Sequence, residues 1–472
     1  MKKEAIYRKH PLDSLNGNPL TEAIEVIAHE DELNKKLTFI PTFEKNLTDI
    51  PAVYQQVFLE RLEKVHVPAP YLYGMYNKFV GLILDGYSKY TPHSAETNKL
   101  QMAIALAARK GERLEEEFIS RTTAPSVFVH GHSGVGKTKG IRSVLKVIPQ
   151  VIKHNKFEDK IFRQDQLVWI SLDMPSTPST KGLALNFFNA VDEALDTDFY
   201  EQWKDKSHYS VERHLSQMQS IAVAHHLGLA HIDELQFMLK YKNNKNAPSF
   251  TTIEALFNKL GIPIVLSSTT SGREMFLSDT KSPDFTITRR LLTNREYQFS
   301  LYGVKSKFFN SLFDALFPES FCKSSEMPDK QFKQVFCHLT CGLPAMMTRL
   351  AILHHESIAM LKNKYPDKAD AYRTGDVGRL HKTYNNQFSL IAGALDNLRA
   401  GNIQQFDEGV NKLDQKEHVL TNEEVKLAAK AERKKVQKLL PDVVPDPLGI
   451  PRVCMDIDSK DMLNFIEEGS DD

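Results

Sequence analysis

No run of this 472-residue chain approaches the roughly 18 consecutive apolar residues that a membrane-crossing helix needs, so no membrane span is expected. The opening residues, MKKEAIYRKHPL, carry positive charge with no apolar stretch behind it, and do not read as a secretory signal. Cysteine is scarce: Cys322, Cys337, Cys341 and Cys454 have neither disulfide-framework nor zinc spacing. Cys337 and Cys341 fall one helical turn apart, a pair that reads as buried thiols rather than metal ligands. Net charge is also missing, since 60 basic residues balance 60 acidic ones. That excludes a wholesale polycation but leaves room for a local basic stripe. No internal repeat recurs at a fixed period, which argues against solenoid or sensor-repeat architectures. The absences together point to a cytoplasmic globular protein.

What is present begins with length, which at about 100–200 residues per unit predicts two to four domains. The most informative stretch is Gly131-His-Ser-Gly-Val-Gly-Lys-Thr138, a complete G-x-x-x-x-G-K-[ST] pattern. Ser126–His130 before it reads as a short buried strand, and Lys139–Val147 after it as a helix with Ile141, Val144 and Leu145 on one face. Strand, glycine loop and helix are what phosphate binding requires. Backbone N–H groups at a helix N-terminus point at the anion, and glycine lets the backbone come close. Gly131, Ser133, Gly134, Val135 and Gly136 then line the nucleotide. Lys137 neutralises its phosphates and Thr138 ligates Mg²⁺.

Further along, Leu227–Ile232 is mostly apolar until two acids, Asp233 and Glu234, appear at its end. A parallel strand buried on both faces reads this way, with ligands at its carboxyl end. Asp233 is expected to hold the metal and Glu234 to activate the attacking water. A third apolar strand, Gly261–Thr270, ends in hydroxyls, of which Thr269 could sense the γ-phosphate. "TITRRLL" then sets Arg289 and Arg290 side by side, either of which could reach a neighbouring subunit's phosphate. Between loop and acids, Leu167–Leu172 reads as one more strand and Gly182–Leu195 as a helix. Strands thus alternate with helices from about 126 to 301, the pattern of an α/β parallel sheet.

The order of these parts resembles an AAA+ ATPase. More narrowly, the chain resembles the TnsC/TniB family of AAA+ transposition regulators from Tns-type (including CRISPR-associated) transposons. "NPLTEAI" at 18–24, "LTFIPTF" at 37–43, the long run from Asp49 to Pro92 and "IPIVLSSTT" carry that narrower likeness, which extends over about residues 15 to 350. The resemblance implies a P-loop AAA+ ATPase with a parallel-sheet core, a helical N-terminal region and a helical lid. It implies rings or filaments around duplex DNA that link a target-selection factor to a transposase and its nuclease partner. Gly131, Gly136, Lys137 and Thr138 match the family's nucleotide residues, Asp233 and Glu234 its acids, and Thr269 its first sensor, in a Ser-Thr setting where many relatives have Gly-Thr. Arg290 best matches its arginine finger, with Arg289 the alternative. Ala345, after Gly342-Leu-Pro344, departs from the family's second sensor arginine, for which Arg349 is the nearest substitute.

Binding to duplex DNA without sequence preference needs cations and hydroxyls along a backbone track. Thr180 and Lys181 lie where the family's pore contacts fall, and Lys240, Lys242 and Lys245 form a second basic loop. Tyr76 and Phe79, at helical spacing, are expected in the core. The expected division is a helical N-terminal region (1–98), an AAA+ core (99–300), a helical lid (301–395), a basic helical extension (396–440) and an acidic flexible tail (441–472). In the extension, Thr421–Glu424 makes a capping box before a lysine-rich helix at 425–440. The tail sets Met462, Leu463, Phe465 and Ile466 among acids, as a short partner-docking segment would. The function expected is a Mg²⁺-dependent ATPase (ATP to ADP and phosphate) that binds DNA, forms homo-oligomers and recruits a transposase. A helicase loader, an origin-recognition ATPase and a STAND-type signalling ATPase are the alternatives.

Overall fold

The computed structural model describes residues 2–43, 47–92, 94–112, 125–175, 179–241, 262–270, 272–273, 296–322, 326–402 and 405–406. The expected arginine pair, Lys242, Lys245, the side chain of Lys240, Cys454, the capping box at 421–424, the helix at 425–440 and the tail lie outside the described residues. Among the described residues no helix is long and apolar enough to cross a membrane. The chain forms two compact units. One comprises Met1–Lys36, Pro70–Gly131 and Lys137–Gln298, the other Leu37–Ala69, His132–Gly136 and Phe299–Asp472.

In the first unit the elements run β1 (Lys2–Glu4), α1 (Leu72–Ser88), α2 (Ala95–Lys110), β2 (Ser126–Gly131), α3 (Lys137–Val147), β3 (Val151–Phe157), β4 (Lys160–Leu167) and β5 (Trp169–Asp173). They continue with α4 (Thr180–Leu195), α5 (Val211–Ala224), β6 (Leu229–Asp233), β7 (Ile264–Thr269) and β8 (Glu296–Phe299). The main sheet has the order β5-β6-β7-β2-β8, and its β5–β6, β6–β7 and β2–β7 pairings are parallel. Strands β2, β6 and β7 are buried at every position, as parallel strands covered on both faces must be, whereas edge strand β5 is only partly so. The register sets Gly131 opposite Thr269, Asp173 opposite Asp233 and Ile232 opposite Leu266, so β2 and β7 run on past the ends of β5 and β6.

Helix α4 shows how the sequence covers this sheet. Ser179 starts it by accepting a hydrogen bond from the Gly182 amide, and Asp196, at φ +61°, ends it in the left-handed region. Its apolar spacing puts Leu183, Phe187, Val191 and Leu195 on the buried face, in one core with Ile170 of β5 and Ala230 and Ile232 of β6. Each fully buried phenylalanine contributes about 1.5–3 kcal/mol over its exposed state. Tyr76 and Phe79 of α1 are also core, as their spacing predicts.

Two features depart from the sequence reading. The run 167–172 is not one strand: Leu167 closes β4 and Trp169 opens β5. The break is held by backbone hydrogen bonds from Leu167 N to His225 O (2.8 Å) and from Val168 N to Gln150 O (2.8 Å). The N-terminal region, read as helical, contains β1, which pairs in parallel with β3 and so joins the β3–β4 hairpin in a three-stranded sheet.

Helices dominate the second unit: α6 (Lys307–Leu316), α7 (Lys330–Thr340), α8 (Pro344–Lys364), α9 (Val377–Gln387) and α10 (Ser389–Arg399). Its centre is aromatic. Phe313 stacks on Phe317 at 4.5 Å between ring centroids, and Phe332, Phe336 and His355 close around them. Cys322, Cys337 and Cys341 are buried free thiols, as their spacing implies.

His354 and His355 on α8 are buried, and each Nε2 faces a backbone carbonyl, Thr374 O at 2.7 Å and Leu316 O at 3.0 Å. Burial drives His354 down to about 4 and, with His354 beside it, His355 down to about 3, from an ordinary 6.5. Both stay neutral in the folded chain. As pH falls below 6.5 the unfolded chain takes up protons that the folded one refuses, so stability is lost on the acid side, by up to about 1.4 kcal/mol per pH unit for each group. The His355→Gln variant keeps an N–H for the Leu316 carbonyl but cannot titrate. Its melting temperature is expected to decline less steeply than wild type between pH 7 and pH 4.5, in parallel thermal scans.

Candidate nucleotide site

Strand β2 ends at Gly131 and α3 begins at Lys137, so residues 132–136 make the turn between them. Gly134 and Gly136 have φ of +78° and +96°, conformations that side-chain-bearing residues rarely adopt. A Cβ placed on Gly136 would meet nothing within 4 Å, so its backbone faces open space as a phosphate-approaching amide must. Lys137 is buried and its Nζ donates to Gly131 O at 2.8 Å. These loop residues fit a polyphosphate.

Thr138, one residue into α3, donates its hydroxyl to Asp233 Oδ2 at 2.6 Å. Asp233 Oδ1 accepts from Ser267 Oγ at 2.5 Å and from the Glu234 amide at 2.9 Å. Among the described residues no group of three or more His, Cys, Asp or Glu side chains could hold a metal by itself. A hydroxyl beside a carboxylate is instead the sparse, hard oxygen set that suits Mg²⁺, which keeps most of its ligands from water and phosphate. Thr138 and Asp233 therefore fit the ion.

The two acids are driven apart in proton affinity. Burial works to raise Asp233, but the hydrogen bonds from Ser267, Thr138 and the Glu234 amide hold the carboxyl below its usual range. Burial raises Glu234, helped by the charges of Asp233 and Asp173, against Lys137 and a hydrogen bond from Gln236. An ionised metal ligand next to a more basic carboxylate is the division of labour that hydrolysis needs. Glu234 also stands at φ +58°, a left-handed conformation that costs a non-glycine residue about 1–2 kcal/mol. The chain turns sharply there from β6 into a short 3-10 helix, Leu235–Tyr241.

Beneath Asp233 runs a polar chain that the sequence reading missed. Ser171 Oγ lies 2.9 Å from His231 Nδ1, and His231 Nε2 lies 2.8 Å from Ser267 Oγ, which donates to Asp233. One proton arrangement satisfies every member: Ser171 donates to Nδ1, the Nε2–H donates to Ser267, and Ser267 donates to Asp233. Burial holds His231 down to about 4, so it is a neutral relay. The only hint in the sequence is a histidine inside an apolar strand, LAHID, and a serine inside the next, VLSST.

Thr269 closes β7, buried, with its amide donating to Gln236 Oε1 at 3.2 Å. Thr180 and Lys181 sit in the first turn of α4. Thr180 is buried, in contrast to the solvent-facing track expected of it, and Lys181 Nζ donates to Ser207 O at 2.5 Å. In the second unit Pro344 opens α8, the Ala345 amide donates to Gly134 O at 3.2 Å, and Arg349 is exposed one turn on. The Ser267→Ala variant removes the hydroxyl that orients Asp233. Mg²⁺ titrations of nucleotide binding are expected to show metal affinity about 10–100-fold weaker, with binding restored at high Mg²⁺.

Residues 120–276 match the protein family described as AAA domain. Solved structures with similar folds include a Walker-type ATPase of Pyrococcus abyssi, at 15% identity and a TM-score of 0.36, over 78% of this chain and 95% of that one. Drosophila ORC, in a structure bound to DNA, is similar at 11% identity and a TM-score of 0.32, over 81% of this chain and 92% of that one. Katanin, from a structure concerned with self-assembly, is similar at 11% identity and a TM-score of 0.32, over 61% of this chain and 80% of that one. No curated protein matches the chain in sequence. The family match falls on the strands, loop and acids described above, and residues 120–276 carry the α/β P-loop fold of an AAA domain.

Proposed function

We propose that this chain is a Mg²⁺-dependent ATPase whose subunits assemble on duplex DNA and regulate transposition, joining a target-selection factor to a transposase, with hydrolysis ending the assembly. The observation that carries the ATPase part is the hydrogen bond from Thr138, just past the glycine loop, to Asp233, with a second carboxylate, Glu234, next in the chain. A protein that only bound nucleotide would have no use for a hydrolysis base beside its metal ligand. The transposition part is supported by the resemblance of the segments at 18–24, 37–43 and 49–92 to transposition regulators.

In this reading the backbone of residues 131–136 and Lys137 bind the phosphates, and Thr138 and Asp233 hold the ion. Magnesium supplies charge neutralisation on the phosphates when bound. Glu234 accepts the proton of the attacking water, and Thr269 borders the same space from the end of β7. Arg290, or Arg289, completes a neighbouring subunit's site. Lys181 and the lysines at 240, 242 and 245 face the DNA backbone, and the acidic tail docks the transposase or its nuclease partner.

Three variants and one imaging experiment test this. Glu234→Gln is expected to keep nucleotide affinity and lose about 100-fold or more in turnover, whereas Lys137→Ala loses binding. With a slowly hydrolysed ATP analogue and duplex DNA, negative-stain images are expected to contain rings or filaments that Lys137→Ala cannot form. Lys181→Ala is expected to weaken DNA binding and flatten its dependence on salt by about one counterion. Monomers under every condition, with nucleotide tightly bound, would overturn assembly on DNA.

A further inference from the structure

Gln236 is not part of the loop, the acids or the sensor, yet it touches two of the three. It lies in the short helix that follows Glu234 and is only 6% exposed. Its side-chain Nε2 donates to the Glu234 carboxylate. Its Oε1 accepts from Thr269 N at 3.2 Å and from Ser268 Oγ at 3.1 Å. The orientation of the amide is unambiguous, because a backbone N–H can only donate and so must meet the oxygen. One buried side chain thus spans from the carboxylate that would activate water to the end of the neighbouring strand.

Only an amide of this length makes both ends. A glutamate would offer acceptors on both sides, and a leucine neither a donor nor an acceptor. Burying the amide would itself be costly were either end unpaired. The left-handed turn at Glu234 is what sends the following residues back across β7, and the bridge secures that turn. Gly272 closes the space behind: a Cβ there would collide with Ser268 Oγ and come within 3.4 Å of Gln236 Cβ. The bridge has little room to take another form.

We propose that Gln236 is a positioning residue for hydrolysis, its amide fixing the Glu234 carboxylate relative to the Ser268–Thr269 end of β7 so that a shift at the sensor strand moves the water-activating group. This rests on the reading of Glu234 as the base. A ligand drawing on Thr269 would loosen or tighten the bridge, and Glu234 would be released or held accordingly. Nucleotide affinity, set by the loop and Lys137, is independent of it.

The test uses the full-length chain with Gln236→Leu, Gln236→Glu and Glu234→Gln beside wild type. Affinity for a fluorescent ATP analogue, kcat and KM are measured, together with amide hydrogen exchange at Thr269 without nucleotide. Gln236→Leu is expected to hold affinity and KM within about threefold, to lower kcat about tenfold or more, and to speed exchange at Thr269. Gln236→Glu keeps an oxygen for Thr269 and loses the donor to Glu234. It is expected to preserve slow exchange and still lose kcat, which a merely structural role would not do. It also answers the question should the leucine variant fail to fold. Unchanged exchange at Thr269 in Gln236→Leu, or wild-type kcat in either variant while Glu234→Gln is inactive, overturns this inference alone. A wild type without turnover, or an active Glu234→Gln, overturns the ATPase reading and this inference with it.

Discussion

A carboxylate at the buried end of a strand is the constraint to which most of the described site answers. Asp233 is 3% exposed, and an ionised acid so placed is tolerated only when its oxygens are hydrogen-bonded. Thr138 supplies one bond from the helix after the loop, Ser267 another from β7, and the Glu234 amide a third from the turn that follows. Each donor fixes the position of something else. Thr138 sets where α3 begins, Ser267 sets how the end of β7 stands beside β6, and the Glu234 amide sets the direction in which the chain leaves the sheet. Satisfying one buried charge therefore aligns the start of α3, the end of β7 and the turn after β6 together.

The same arrangement explains how two adjacent acids come to differ in proton affinity. They share burial, but only Asp233 is surrounded by donors; Glu234 has the charge of Asp233 beside it instead. Electrostatics thus separates two carboxylates in proton affinity without distance between them in the chain. The left-handed conformation at Glu234 bears on this, because an extended residue there would turn its side chain to the face of the sheet opposite that of Asp233. Strain at this position is compensated by the hydrogen bonds of Gln236.

What could be read from the sequence was local. The glycine loop carries its chemistry within eight consecutive residues, and the apolar runs before Asp233 and Thr269 announce buried strands with polar ends. Tyr76 and Phe79 were legible for the same reason, since helical spacing is a short-range signal. The break at Val168 was not legible. The run 167–172 is continuously apolar, and only distant partners, Gln150 and His225, divide it. The relay from Ser171 through His231 to Ser267 spans three strands whose adjacency no local pattern specifies. Gln236 reads as an ordinary polar residue until the chain folds back on β7. Thr180 looks like a surface hydroxyl because its neighbours are polar, yet it is buried in the folded chain.

The small strand β1 has a consequence for the making of the protein. Lys2 pairs with Val151 and Glu4 with Lys153, so the strand's ladder partner among the described residues is encoded roughly 150 residues later. At typical rates of synthesis that gap lasts about 7–30 s. Throughout that interval three residues with a free edge emerge from the ribosome with nothing to pair with, while the helices between are being made. Residues 2–4 are short, and two of them are lysine, which keeps such an edge from finding another chain in the meantime. Strand β1 therefore waits for β3, and the three-stranded sheet is complete only once β4 has followed.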